Sequence, residues 1–200
     1  MLAIILLLVS FLLGSIPFGY IIARLASGID IRKHGSGNIG ATNVVRVLGK
    51  KWGILVFILD LAKGMLGPCL FAYFLDDPNH TLILLSAILA VSGHNWTPFL
   101  KFKGGKGVAT SLGAMIGLGF IFHQLWLIIG ISLMVWVIVF KISKYVSLAS
   151  LCACICFSIL SVLSAVPVEL KIFSLLFLVF VFIRHKSNIL GLLQKKENRF

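Results

Sequence analysis

Four polar stretches in the chain carry residue types able to handle phosphate. The first is Arg32-Lys33-His34-Gly35-Ser36-Gly37-Asn38-Ile39-Gly40-Ala41-Thr42-Asn43-Val44-Val45-Arg46. Glycines at 35, 37 and 40 leave backbone N–H groups able to turn toward an anion, with Ser36, Asn38, Thr42 and Asn43 as neutral donors beside them. Arg46 adds a planar guanidinium that grips phosphate through two parallel hydrogen bonds. A Gly-Ser-Gly-Asn run alone is ordinary turn chemistry. Thr42, Asn43 and Arg46 at helical spacing turn the reading toward a binding loop, since a solvated linker has no use for so many ordered donors.

The second stretch runs from Ser92-Gly93-His94-Asn95 to Phe102-Lys103-Gly104-Gly105-Lys106-Gly107-Val108-Ala109-Thr110. Gly104-Gly105-Lys106-Gly107 opening an apolar helix is a phosphate site in mechanism: bare amides, the positive helix end and an ammonium. It is not a Walker loop, because position 100 is Leu where Gly is needed and position 107 is Gly where Ser or Thr is needed. A basic anchor with a glycine hinge accounts for Lys101 and Lys103, but not for Lys106 set between glycines.

The third stretch, Ser143-Lys144-Tyr145-Val146-Ser147, reads by itself as a basic turn with an interfacial tyrosine. In the fourth, Arg184-His185-Lys186-Ser187-Asn188, His185 and Asn188 stand i, i+3 and share a helical face, so an imidazole and an amide can address one substrate group. Asp60 and Lys63, also i, i+3, read as a structural ion pair within an apolar run. Cys152 and Cys156 share a face while Cys154 points elsewhere, and no histidine supplements them, so they read as packing residues and no metal site is expected.

Other chemistries fall away. The chain has no Gly-x-Ser-x-Gly elbow and no His-Glu-x-x-His. Five positions after His34, His80, His94, His123 and His185 stand Ile39, Leu85, Phe99, Ile128 and Leu190, so no His-x-x-x-x-Asp pair exists.

The elements that must position these stretches are set by composition. Of 200 residues, 60% are apolar and 12% charged, half the roughly 25% charge of a soluble domain. The reading is an all-α, polytopic integral membrane bundle with about seven transmembrane helices over 2–26, 53–75, 82–100, 108–122, 125–140, 146–163 and 168–183, within a single domain covering 1–200. The fourth and fifth runs are separated only by His123 and Gln124, and a five-span alternative makes some segments half-crossing or re-entrant. The first run reads as an anchor, not a cleaved signal, because its first positive charge, Arg24, follows it.

Of the 18 Lys and Arg residues, only Lys63 and Lys171 fall outside the connections assigned to one side. That bias places the N-terminus outside and the C-terminus in the cytoplasm. The external connections hold Asp76, Asp77 and Glu169, and only Asp30 and Glu197 among the acidic residues belong to cytoplasmic segments, too few to hold magnesium. Phosphate is then neutralised by Arg, Lys and amides, with no cofactor. The net charge of +12 is spread between apolar runs, which favours anionic lipid heads and phosphorylated small molecules over nucleic acid. Two phosphate-handling loops on one membrane face give a transferase-like layout. A transporter or channel for a phosphorylated anion is the competing class, disfavoured by the one-sided donors and the absence of an internal repeat.

Gly35-Ser36-Gly37-Asn38-Ile39-Gly40-Ala41-Thr42-Asn43, then Gly93-His94-Asn95 with Phe102 to Thr110, then Arg184-His185 with Asn188 resemble the three motifs of the bacterial acyl-phosphate-dependent glycerol-3-phosphate acyltransferases, in order and over essentially the whole chain. The resemblance implies acyl transfer from acyl phosphate to the 1-hydroxyl of glycerol 3-phosphate, in the bacterial cytoplasmic membrane, with an active site facing the cytoplasm and no obligate protein partner. It carries over Ser36, Arg46, His185 and Asn188 as catalytic or substrate-orienting residues. It brings Gly35, Gly37, Asn38, Thr42 and Asn43 as loop formers or ligands, Gly104, Gly105, Lys106 and Gly107 as a cradle for glycerol phosphate, and Ser147 as a further phosphate contact. The chain departs from the family pattern at Lys144, where Arg is frequent, and at Gly191, where a basic residue is common. His185 is the candidate base, with a substrate phosphate oxygen as its rival.

Overall fold

The computed structural model describes residues 1–75 and 79–199; Asp76 and Asp77 of the expected external connection lie outside them. The described residues form ten α-helices and two short 3-10 turns, without a strand. The helices are α1 (Leu2–Ser15), α2 (Phe18–Ser27), α3 (Ala41–Leu48), α4 (Lys50–Phe74), α5 (His80–Asn95), α6 (Val108–Gly119), α7 (Leu125–Ser143), α8 (Val146–Leu163), α9 (Val168–Arg184) and α10 (Lys186–Leu193). Five segments among the described residues are long and apolar enough to cross a membrane: Leu2–Ser27, Lys50–Phe74, His80–Leu100, Leu125–Ser143 and Val146–Leu163. Helix is the form such sequences must take in lipid, where every backbone polar group has to pair within its own segment.

Three expected spans differ from the sequence reading, one of them the run at 168–183, where α9 is 17 residues long and is not among the five. The first run, read as one helix, breaks at Ile16-Pro17, with Ile16 at φ −58°, ψ 118°. Proline lacks an N–H and disfavours the helical region for its predecessor. The carbonyls at the break are answered from elsewhere: Thr97 Oγ1 donates to Ser15 O at 2.6 Å and Lys63 Nζ donates to Ile16 O at 2.6 Å. The fourth run, read as 108–122, is helical only over Val108–Gly119. At Ile121 and Leu125 the chain tightens into three-residue bonds to Leu118 O and Phe122 O around the polar pair His123 and Gln124. Its 12 residues reach about 18 Å, short of a hydrocarbon core of about 30 Å.

The chain divides into two compact units, Met1–Ile121 and a second from Phe122 onward. In the first, α1 packs on α5 and α4 on α6. These pairs meet through glycine. A Cβ on Gly14 would strike the Ala90 carbonyl and one on Gly93 the Phe11 carbonyl; likewise Gly64 faces Thr110 O and Gly113 faces Leu61 O. Lipid removes the hydrophobic incentive for helices to associate, so close backbone approach supplies the packing. Nearer the basic connection, Ile22, Ala23, Ile31, Ile39, Val44, Val56 and Leu100 form one buried apolar cluster. In the second unit α8 packs against α7 and α9, with Trp136 Nε1 donating to Ser150 Oγ at 3.2 Å and Ser158 Oγ to Ser174 O at 2.9 Å.

Candidate active site

The first donor loop is organised around one buried amide. Asn43, on the first turn of α3, is 1% exposed. Its Oδ1 accepts from Ser36 N–H at 2.8 Å, and its Nδ2 donates to Asn38 O at 2.8 Å and His34 O at 3.0 Å. Asn43 is therefore a loop former whose side chain is fully engaged. Asn38 Oδ1 accepts from Gly40 N–H at 2.8 Å, closing the turn that leads into α3. Gly35 and Gly37 sit at φ +58° and +72°, and a Cβ on Gly35 would collide with Asn43 Oδ1. Around this scaffold Ser36 and Arg46 are exposed and Thr42 is half-buried one turn before Arg46.

Below the loop, Ile39 and Val44 belong to the apolar cluster, and the Ile39 carbonyl lies where a Cβ on Gly19 would fall. Asp30 caps the turn before it. The Arg32 guanidinium makes paired bonds of 2.9 and 2.7 Å to the Asp30 carboxylate. Those bonds hold the Asp30 carboxyl well below the usual carboxylate range.

The second loop folds back on the end of α5. After the 3-10 turn at Pro98–Leu100, Lys101 and Phe102 take left-handed φ of 54° and 60°, and Phe102 N–H donates to Thr97 O at 2.9 Å. Gly105 N–H then donates to His94 O at 3.1 Å. A Cβ on Gly104 would collide with the His94 carbonyl, one on Gly105 with the His94 ring at Nε2, and one on Gly107 would lie 2.6 Å from Asn95 Oδ1. Glycine is thus demanded here by packing against His94 and Asn95, and the Gly105 amide is spent within the protein. Gly107, at φ +75°, opens α6. Lys106 is half-buried at that helix start, whose first amides have no acceptor within the helix. Leu100, just before the loop, is part of the cluster that carries Ile39 and Val44, so both donor loops rest on one apolar base.

In the second unit, Ser147 lies in the first turn of α8 and Asn188 in α10, 6% and 9% exposed. Both donate to the same carboxylate oxygen: Ser147 Oγ to Glu197 Oε1 at 2.8 Å and Asn188 Nδ2 at 2.6 Å. His185, 1% exposed, joins α9 to α10. Its Nδ1 lies 2.8 Å from Val181 O. A carbonyl only accepts, so Nδ1 carries a proton, and Nε2 is the ring nitrogen left to act as a base. Among the described residues no three His, Cys, Asp or Glu side chains gather as a metal site would require.

The model of the glycerol-3-phosphate acyltransferase family matches residues 4–195. The chain belongs to that family. Among family members, the glycerol-3-phosphate acyltransferase of Desulforudis audaxviator is 42% identical over 100% of this chain and 96% of its own, and that of Aquifex aeolicus is 40% identical over 99% of each. A crystal structure of PlsY, an integral membrane glycerol 3-phosphate acyltransferase in its glycerol 3-phosphate form, matches with a TM-score of 0.89 and 38% identity over 100% of this chain and 96% of that one. The lysophosphatidic acid form of PlsY matches with a TM-score of 0.87 and 37% identity over the same shares.

Three residues of this acyltransferase chain hold positions that the sequence does not assign them: Glu197 in the second unit, and His94 and Asn95, which belong to the second polar stretch without a role of their own there. Glu197 holds the Ser147–Asn188 pair, and His94 and Asn95 back the glycine loop. Glu197 offers no signal in a tail of mixed charge. His94 and Asn95 do offer one, since two polar residues close an otherwise apolar span immediately before the loop they support.

Proposed function

We propose that this chain transfers a fatty acyl group from acyl phosphate to the 1-hydroxyl of sn-glycerol 3-phosphate, giving lysophosphatidic acid and inorganic phosphate. The observation that carries the reading is the pairing of two donor loops, one presenting Ser36 and Arg46 and the other Lys106, on one apolar cluster. It is joined by a full-length likeness to an enzyme solved with glycerol 3-phosphate.

Acyl phosphate is already activated, so the reaction is direct. The 1-hydroxyl oxygen bonds to the acyl carbon, the bond from that carbon to the phosphate oxygen breaks, and the hydroxyl proton passes to a base. His185 Nε2 is the candidate base, with a phosphate oxygen of the substrate as rival. Ser36, Arg46 and Asn188 bind or orient the reacting groups, and Arg46 with Lys106 stabilises charge on the departing phosphate. Gly35, Gly37, Asn38 and Asn43 shape the first loop and Thr42 contributes a hydroxyl; Gly104, Gly105 and Gly107 shape the second. Ser147 and Asn188 serve a substrate phosphate by exchanging Glu197 for it, because an oxygen acceptor already holds their donors. No metal or other cofactor takes part.

The whole of 1–200 works as one acyltransferase domain with seven membrane segments, the N-terminus outside and the C-terminus in the cytoplasm. The one-sided Lys and Arg distribution supports that orientation, with the donor loops at the cytoplasmic face of a bacterial inner membrane. α6 is the short segment, and membrane lipids surround the acyl tail.

Purified protein in detergent, given acyl phosphate and glycerol 3-phosphate, is expected to release inorganic phosphate only when the acceptor is present. That release is expected to vanish in Ser36→Ala and Lys106→Ala. Release without acceptor would indicate a hydrolase or acyl-enzyme route, and glycerol 3-phosphate binding without release would revive the transporter.

A further inference from the structure

Asp60 and Lys63 are each 2% exposed within the apolar span α4. A buried ion pair is seldom more stabilising than apolar residues of the same volume, so its retention calls for a use. Lys63 has one, since its ammonium meets Asp60 Oδ1 at 2.8 Å and donates to Ile16 O at the break between α1 and α2. The carboxylate does more than balance that charge. Asp60 Oδ1 also stands 3.6 Å from Nδ1 of His94, a ring only 4% exposed. That is too long for a hydrogen bond, yet close enough for the carboxylate's field to favour one ring orientation.

The opposite edge of the ring bears on the second donor loop. Nε2, Cε1 and Cδ2 of His94 occupy the space a Cβ on Gly105 would need, while His94 O accepts the Gly105 N–H at 3.1 Å. His94 therefore grips Gly105 twice, by ring and by backbone, immediately before Lys106. Gly104 is pressed on the same carbonyl, so the loop has a wall and a floor made by one residue.

We propose that Asp60 and His94 are positioning residues for glycerol 3-phosphate. Asp60 orients the His94 ring from within the membrane, and the ring holds Gly105 so that Lys106 and the opening amides of α6 keep a single phosphate-binding geometry. This rests on the reading of residues 104–107 as the cradle for the acceptor's phosphate. Without the support, the loop samples other geometries, and if only a tenth of the population stays competent the apparent affinity falls about tenfold. Acyl phosphate affinity and the chemical step are untouched once glycerol 3-phosphate is seated.

The test is steady-state kinetics on the full chain in detergent for His94→Gln, Asp60→Asn and Lys106→Ala, with thermal unfolding recorded for each. His94→Gln is the decisive variant because it is uncharged and leaves Asp60 and Lys63 paired. The expected result is a KM for glycerol 3-phosphate raised about tenfold in His94→Gln and in the same direction in Asp60→Asn, as a competent fraction near a tenth requires. The KM for acyl phosphate and kcat stay close to wild type. An unchanged KM for glycerol 3-phosphate in a folded His94→Gln overturns the proposal. So does loss of folding in both His94→Gln and Asp60→Asn, which assigns the network to the fold alone. Lys106→Ala separates the premises: if it too leaves that KM unchanged, the cradle reading itself has failed, whereas a raised KM there with none in His94→Gln removes only the role of His94.

Discussion

Asn43 accepts a hydrogen bond from the backbone N–H of Ser36 at 2.8 Å, so a buried amide decides where an exposed serine sits. The same side chain donates to the Asn38 and His34 carbonyls. Asn43→Ala leaves buried backbone groups without partners at a cost of about 1–3 kcal/mol each. Activity is expected to fall by about 100-fold, the scale of an ångström-sized misplacement of a reacting group. Asn43→Asp keeps the acceptor but turns an anionic oxygen on two carbonyls, and is expected to be no better. Unfolding midpoints and acyl transfer rates on the two variants check both statements.

Arg46 is exposed on the last turn of α3, one turn beyond Thr42. Arg46→Lys preserves the charge and loses the planar fork. If Arg46 grips the substrate phosphate through two parallel charge-assisted bonds, the loss of one, worth about 1.5–3 kcal/mol, is expected to lower kcat/KM by one to two orders of magnitude. Full activity in Arg46→Lys would show that charge alone suffices.

His185 presents Nδ1 to the Val181 carbonyl at 2.8 Å, which fixes the tautomer a base would need. His185→Ala is expected to abolish turnover while glycerol 3-phosphate binding, followed calorimetrically, changes little. Substantial surviving turnover would pass the role of base to a phosphate oxygen of the substrate.

Glu197 Oε1 is the shared acceptor of Ser147 and Asn188. An amide oxygen can receive the same two donors, so Glu197→Gln should cost less than about 2 kcal/mol, whereas Glu197→Ala strands both buried donors and should cost about 2–6 kcal/mol. Chemical denaturation of the two variants beside wild type measures the gap, and equal losses would mean the carboxylate's charge is what counts.

Asp30 holds its proton less tightly than a free carboxyl because Arg32 donates to it. Its folded pKa lies below the unfolded value, so the stabilisation is complete above about pH 4–5 and fades as pH falls further. Asp30→Asn is expected to lower the unfolding midpoint slightly at pH 7, with the difference from wild type narrowing as pH drops below about 4. High salt should shrink it as well, since the pair is exposed. A difference that grew on acidification would contradict this.

The helical architecture was open to the sequence because lipid leaves the chain few choices: mainly apolar runs near the length of a bilayer become helices, as the runs at 53–75 and 146–163 do in α4 and α8. The donor loops were legible for a related reason, since Gly35, Gly37 and Gly107 stand where left-handed backbone is needed. What hid was tertiary. Nothing in the apolar residues at 120–122 says that α6 stops at Gly119. Nor does any spacing reveal that Gly105 is required by a histidine 11 residues earlier in a different element. The resemblance implies a phosphate contact for Ser147 and a catalytic or orienting role for Asn188, but the convergence of both on Glu197 depends on how the tail folds back.

The break in the first span has a consequence for how the protein is made. The carbonyl of Ser15 is answered by a hydroxyl 82 residues further on, and that of Ile16 by an ammonium 47 residues further on. A ribosome delivers the opening helix to the bilayer well before either group exists outside the exit tunnel. The nascent segment therefore enters the membrane without the partners that hold its bend open, and takes its final form only when α4 and then α5 arrive beside it. Biogenesis of this enzyme is ordered: its first span is finished only after α4 and α5 have followed it, and a stalled or truncated chain ending before Thr97 holds a first helix whose shape has not been settled.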